Sequence, residues 1–348
     1  MTGSNVEDLI AVKPADRFDE AALGLYLARA LDGYRGPLSA KQFKSAKGPA
    51  TYLLHTAGRD YVLRRAPVGN AAAAERLARE FQVTASLAAR GFPVLAALHH
   101  CADPAVIGAP FTISDHRRGR VWRDPRLPGL DPKERGRLYE AIGALLAELH
   151  GLSPDDLGLN GTLAPETPYA ARLAKWIQGY RDQADEDIGP MERLIAWLPD
   201  HLPAADPACL THGDCRIDNV LFDIHEPRVV ALQGWDQVGL GQPLADVARL
   251  CALYHITVPG VGGLEGLDPI ATGIPGERDF LGQYCGRLGR PVPDDWHVHV
   301  AIDLFRLAVV SQGVKRRAAA AGQVQAAKQY GMLTRAYAGQ AWHLVEGE

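Results

Sequence analysis

The stretch Leu210-Thr-His-Gly-Asp-Cys-Arg-Ile-Asp-Asn-Val-Leu-Phe-Asp223 decides how this chain is read. It places a tight polar loop, His212-Gly213-Asp214, immediately before the apolar run Asn219-Val-Leu-Phe-Asp223. A second apolar run, Arg228-Val-Val-Ala-Leu232, follows a short polar turn, so the pair reads as a β-hairpin. Asp214 and Asn219, with four residues between them, stand on one tight loop where both side chains can enter one pocket. The plain alternative is that they only cap turns, which Asp and Asn do throughout proteins.

Upstream of the loop, Thr51–Thr56 and Tyr61–Arg65 flank the turn Ala57-Gly58-Arg59-Asp60 and read as a hairpin. Residues 15–34 read as a short helix, with Leu23, Tyr26, Leu27 and Leu31 on one face. Asn70 is placed to cap a helix carrying Leu77, Phe81, Ala85 and Ala88, which Gly91 ends. Phe92-Pro93-Val94 and Pro110–Ser114 read as two further strands. The order expected over 36–115 is therefore strand, strand, helix, strand, strand. Past Gly119 the period changes to helical. Asp131-Pro132 opens a long helix with Leu138, Ile142, Leu145, Leu146 and Leu149 on one face. Further helices are expected over roughly 170–200, 275–289, 294–318 and 323–345. The expected fold is α+β: a small antiparallel-sheet lobe with one long helix over residues 1–115, and a larger helical lobe carrying the loop and its hairpin over 116–348.

Composition removes several classes of function. The chain has 348 residues, 47% of them hydrophobic, and a net charge of −4, which gives no electrostatic reason to expect a nucleic-acid or membrane partner. Cys101, Cys209, Cys215, Cys251 and Cys285 are odd in number and scattered, against both a disulfide framework and a zinc cluster. No leader or membrane span is read, and a cytoplasmic location is the expectation. Val258–Gly266 is glycine-rich but lacks the Gly-Lys-Ser/Thr of a phosphate-binding P-loop, so it reads as a flexible loop. His297 and His299 point apart on a helix and make a poor metal pair.

The Asp–Asn spacing has a chemical reading. Phosphoryl transfer needs a carboxylate near the attacking hydroxyl and oxygen ligands that hold magnesium against the phosphates. His212, Asp214 and Asn219 match the HxDxxxxN spacing of the kinase catalytic loop. Together with Val229–Leu250, which runs VVALQGWDQVGLGQPLADVARL, this segment resembles the aminoglycoside phosphotransferase family of kinase-like proteins. The resemblance is strongest to the branch that includes the kinase-like domain fused to long acyl-CoA dehydrogenases. It extends through YVLRRAP at 61–67, LAREFQV at 77–83, DPAVIGAPF at 103–111, DPRLPGL at 124–130 and LAELHGL at 146–152.

That resemblance implies a protein-kinase-like fold of two lobes, with ATP and Mg2+ as nucleotide and ion and a small hydroxylated molecule as phosphate acceptor. It implies that Asp214 is the catalytic base or hydroxyl-orienting carboxylate and Asn219 a magnesium ligand. Arg64 would touch the nucleotide phosphates, with Glu80 as its ion-pair partner. His212 and Asp246 take structural roles, Asp246 bracing the His212 loop from behind.

The chain also departs from the family. An aspartate is expected immediately before Trp235, and Gly234 stands there; Asp236 is the remaining candidate for a second metal ligand. The phosphate loop, usually rich in glycine, reads Phe43-Lys-Ser-Ala-Lys-Gly-Pro-Ala50, where Pro49 lacks an N–H and Lys44 and Lys47 offer only point charges. The segment Ser114–Arg118, which joins the lobes, is more polar than the usual adenine-binding hinge. Two readings follow: a small-molecule kinase, of hydroxyacyl-CoA or a related metabolite, with a degenerate metal site; or a kinase-like protein impaired in phosphotransfer that binds a metabolite or partner.

Overall fold

The computed structural model describes residues 9–44, 49–163, 167–258 and 262–347. Half of the phosphate-loop reading (Ser45–Gly48) and residues 259–261 of the glycine-rich loop fall outside these residues.

An antiparallel sheet is built from β1 (Leu9–Ile10), β2 (Leu38–Phe43), β3 (Ala50–Thr56), β4 (Tyr61–Arg65), β5 (Ala97–Cys101) and β6 (Phe111–Asp115), in the order β1-β2-β3-β4-β6-β5. Its core is formed by Tyr52, Leu54, Tyr61, Leu63, Phe111 and Ile113 against Leu23 and Leu27 of helix α1 (Glu20–Ala30). Helix α2 (Ala71–Ala89) packs on β5 and β6. The Asn70 side chain accepts from Ala73 N at 3.0 Å, a cap that contributes about 1 kcal/mol.

The rest of the chain runs α3 (Pro132–Gly151), α4 (Tyr169–Arg181), α5 (Gly189–Trp197), β7 (Cys209–Thr211), β8 (Val220–Phe222), β9 (Val229–Leu232), β10 (Gly239–Gly241), α6 (Pro243–Cys251), α7 (Pro269–Thr272), α8 (Glu277–Arg287), α9 (Trp296–Ala320) and α10 (Val324–Val345). At the start of α3, which the sequence places at Asp131-Pro132, Asp131 and Glu134 form a reciprocal capping box. Among the described residues no helix is long and apolar enough to cross a membrane.

The chain divides into two compact units. The first holds residues 1–122, 153–164 and 218–238; the second holds 123–152, 165–217 and 239–348. The β8–β9 hairpin thus belongs to the first unit, where Leu232 N donates to Pro93 O at 2.8 Å and Trp235 meets Phe92 edge-on. The second unit's core is helical, with Tyr180, Met191, Leu194, Leu304, Phe305, Ala338 and Ala341 at its centre.

Several sequence expectations are corrected here. Residues 36–115 carry three strands before the helix, because β2, with Ser39 and Lys41 exposed, has too few apolar positions to announce itself. The strand expected at Phe92–Val94 lies instead at β5; Gly91 takes φ +78° and turns the chain there. The helix read over 15–34 narrows to α1, capped by Asp19 after a separate 3-10 turn at Pro14–Asp16. The helical stretch at 170–200 comprises α4 and α5, the second opening on Gly189-Pro190.

Candidate functional site

In the second unit, β7 pairs with β10 and delivers the chain directly into His212-Gly213-Asp214. Asp246, on the first turn of α6, reaches this loop from behind: its Oδ2 accepts from His212 N at 2.6 Å and its Oδ1 from Gly213 N at 2.8 Å. A buried carboxylate with two backbone donors is a strong, charge-assisted clamp. Burial alone would raise the Asp246 pKa, but the hydrogen bond and charge of His150, with His212 and Arg249 beyond, outweigh it and hold the carboxyl below its usual value. The His212 ring is fully buried, and its Nδ1 accepts from Asp214 N at 3.2 Å. Gly213 carries φ +75°, a left-handed turn that suits glycine, and its own N–H and that of His212 both point at Asp246.

The Asp214 side chain is 33% exposed and lies 3.7 Å from Arg249 Nη1 and 3.6 Å from Arg216 Nε. Arg249 is the outer member of a buried network that the sequence reading missed. It donates through Nε to Asp303 Oδ1 at 3.2 Å, and Arg306 Nε donates to the same oxygen at 2.8 Å. Burial works against Arg249, yet Asp303, Asp246 and Asp214 together hold its pKa above the usual arginine value. Arg306 goes the other way: burial lowers it despite Asp303. The signals were present, since Arg249 lies three residues after Asp246 and Asp303 three before Arg306, on single helical faces.

The first unit gathers a different set of candidates. Arg64, on β4, donates through Nη1 to Glu80 of α2 and through Nη2 to Asp236 Oδ1 at 2.9 Å. Glu80 is 8% exposed, so this pairing is largely desolvated. Asp236 sits in the 3-10 turn Trp235–Gln237, against which α2 packs. Gly234, just before it, has φ +79° and ψ +46°, and a Cβ there would stand 2.9 Å from Asn219 Oδ1. Asn219 ends the 3-10 turn Ile217–Asn219, and its carbonyl accepts from Gln233 N at 2.8 Å.

Asp214 belongs to the second unit and Asn219, Gly234, Asp236, Arg64 and Glu80 to the first. Magnesium prefers carboxylate and water oxygens. The donors present are the neutral amide of Asn219 and an Asp236 carboxylate engaged by Arg64, with no side chain at Gly234. As they stand, these residues do not match a two-ligand magnesium site. Among the described residues no group of three or more His, Cys, Asp or Glu side chains could hold a metal. All five cysteines are buried, and none forms a disulfide.

A family model described as "Phosphotransferase enzyme family" matches residues 39–265. The mouse acyl-CoA dehydrogenase family member 10 is 35% identical over 323 residues, covering 90% of this chain and 30% of that protein. The chain therefore spans less than a third of that relative's length. A crystal structure of a proposed aminoglycoside phosphotransferase from Ralstonia eutropha superposes with a TM-score of 0.84 at 33% identity, covering 93% of this chain and 98% of the other. The GDP complex of aminoglycoside 2'-phosphotransferase-IIIa, 14% identical, shares the fold with a TM-score of 0.62, over 92% of this chain and 98% of that one. Sheet order, the clamped loop after β7 and these matches agree, and the chain belongs to the phosphotransferase enzyme family, with the α+β, kinase-like fold of the aminoglycoside phosphotransferases.

Proposed function

We propose that the protein transfers the γ-phosphoryl group of ATP to a hydroxyl of a small metabolite, of hydroxyacyl-CoA or a related class, through a site whose metal-binding half is altered. Residues 1–115 are the nucleotide side, and residues 116–348 carry the catalytic loop and the acceptor side. The acyl-CoA element of this reading comes from the dehydrogenase relative, which shares only this portion of its length.

The observation that carries the proposal is the seating of the Asp214 loop. Asp246 takes up the His212 and Gly213 N–H groups, leaving the Asp214 carboxylate partly exposed within ion-pair reach of Arg249. In the transfer, the acceptor oxygen forms a bond to the γ-phosphorus while the bond to the β-bridging oxygen breaks and ADP leaves. Asp214 takes the hydroxyl proton, a role that contributes about 10²–10⁴-fold. Arg64, positioned by Glu80, offers its guanidinium to the nucleotide phosphates. No step is assigned to a metal, because the donor set falls short of one.

A second reading has its own support. The Asn219 amide occupies the space beside Gly234, and Asp236 holds the arginine that the phosphates would need. Both features suit a kinase-like protein that binds a metabolite or nucleotide without transfer.

The deciding measurement is transfer of labelled γ-phosphate from ATP to a panel of hydroxylated acids and their CoA esters, with calorimetry of ATP binding alongside. Turnover that falls by about 10²-fold or more in Asp214→Asn supports the first reading. Nucleotide binding without transfer supports the second. A protein that binds no nucleotide, with or without magnesium, overturns the phosphotransfer reading.

A further inference from the structure

Helix α4 presents Tyr169, Arg172 and Trp176 on one face, at spacings of three and four residues. Together with Arg249 of α6 and His299 and Asp303 of α9, they line a small, shallow recess that opens to solvent. The Arg172 guanidinium lies over two aromatic faces, 5.2 Å from the Trp176 ring centroid and 5.8 Å from that of Tyr169, within cation–π range of both. Among the described residues no carboxylate stands within ion-pair distance of it.

The other charges lining the recess are already matched. Arg249 pairs with Asp303 at 3.2 Å and reaches Asp214 at 3.7 Å, and Arg306 closes the network on Asp303. His299 adds no positive charge at neutral pH: burial pushes its pKa down to about 4, and its Nδ1 lies 3.2 Å from the Tyr169 hydroxyl. Among the described residues, Arg172 therefore leaves the recess one positive charge in excess.

Its position relates this charge to the chemistry. A Cβ built on Gly241 would lie 3.9 Å from Arg172 Nη1 and 3.1 Å from Thr211 Oγ1. Gly241 is paired with Cys209 in the strand that runs into His212-Gly213-Asp214. The arginine thus sits beside the root of the Asp214 loop, and Arg249 spans from the recess wall to the Asp214 carboxylate.

We propose that the recess is an oxyanion subsite of the acceptor: Arg172 binds a carboxylate or phosphate of the substrate while a hydroxyl of the same molecule addresses Asp214. This rests on the phosphotransfer reading and narrows its substrate to hydroxylated anions. A planar guanidinium set over two aromatic rings offers two parallel hydrogen bonds to such a group, a geometry that an ammonium cannot reproduce. The oxyanion has two sources, the free carboxylate of a hydroxy acid or a phosphate of its CoA ester.

Calorimetry on the whole chain, without nucleotide, separates them. The probes are 3-hydroxybutyrate, its neutral amide and 3-hydroxybutyryl-CoA, each titrated into the wild type, Arg172→Ala and Arg172→Lys, with melting curves confirming that the variants fold. The expected result is at least tenfold tighter binding of an anionic probe than of the amide, lost in Arg172→Ala and partly kept in Arg172→Lys. Binding of the free acid assigns the carboxylate; binding of the CoA ester alone, still dependent on Arg172, assigns the phosphate. Equal binding of acid and amide, affinity unchanged by Arg172→Ala, or no binding of any probe overturns the proposal. Arg172-dependent anion binding in a protein that transfers no phosphate would leave the subsite standing and remove the phosphotransfer reading alone.

Discussion

The side-chain oxygen of Asn219 lies 2.9 Å from the point where a Cβ on Gly234 would stand. Gly234 is therefore doubly constrained, by its left-handed backbone at φ +79° and by a neighbour that already fills the adjoining space. An aspartate restored at this position, the family's residue, would gain a carboxylate only by displacing the Asn219 amide.

Three substitutions rank these constraints. Gly234→Ala is expected to destabilise by about 1–2 kcal/mol, the cost of a left-handed conformation for an L-residue. Gly234→Val should cost more, since a β-branched side chain is a genuine outlier there, and Gly234→Asp less than Val, because aspartate visits this region more readily. Urea denaturation of the three variants gives the order; Asp equal to or worse than Val would show that crowding of Asn219 dominates over backbone strain.

Asp236 holds Arg64 at 2.9 Å, in the place where the proposed function puts nucleotide phosphates. Removing the competing carboxylate should help an anion that binds the same guanidinium. Asp236→Ala is expected to tighten magnesium-free ADP binding by roughly threefold to tenfold, where tenfold is about 1.4 kcal/mol. Calorimetry with and without magnesium checks it. Weaker binding confined to the magnesium series would instead make Asp236 a metal ligand.

Asp246→Ala should act chiefly on stability. It strands the buried N–H groups of His212 and Gly213, at about 1–3 kcal/mol for each unsatisfied donor. A thermal melt indistinguishable from wild type would show that the loop does not depend on this clamp.

Acid stability carries the same interaction. Asp246 and Asp303 both have pKa values held below the usual carboxylate range: burial pushes each upward, and His150 for Asp246, or Arg306 and Arg249 for Asp303, more than offset it. A carboxyl with a depressed folded pKa contributes its full stability above the unfolded value, about 3.9. The contribution declines as pH falls below that value and is gone once pH has passed through the folded pKa. The unfolding free energy of wild type should therefore drop more steeply between about pH 4 and 2 than that of Asp246→Asn. Parallel acid limbs for the two proteins would contradict the shift.

Much of this protein was written locally. Asn70 and the Asp131–Glu134 pair mark their helix starts because a cap bonds backbone groups two or three residues away. The β8–β9 hairpin is legible for a similar reason, since two apolar runs flank one short polar turn. The Asp214–Asn219 spacing, and the resemblance it anchors, were likewise legible, and they led to the right family and fold. What the sequence left undetermined depends on partners far apart in the chain. Arg64 meets Asp236 across 172 residues, and Arg249 meets Asp303 across 54. Many carboxylates could have been chosen for either arginine, and only packing makes the choice. Strand β2 was missed because it has few apolar positions and exposes Ser39 and Lys41, and its pairing with β3 and β1, rather than its own composition, holds it extended. The same holds at Gly234. The sequence shows a glycine where the resemblance leads one to expect an aspartate, but only the folded backbone shows the left-handed turn and the Asn219 side chain that resist a carboxylate there.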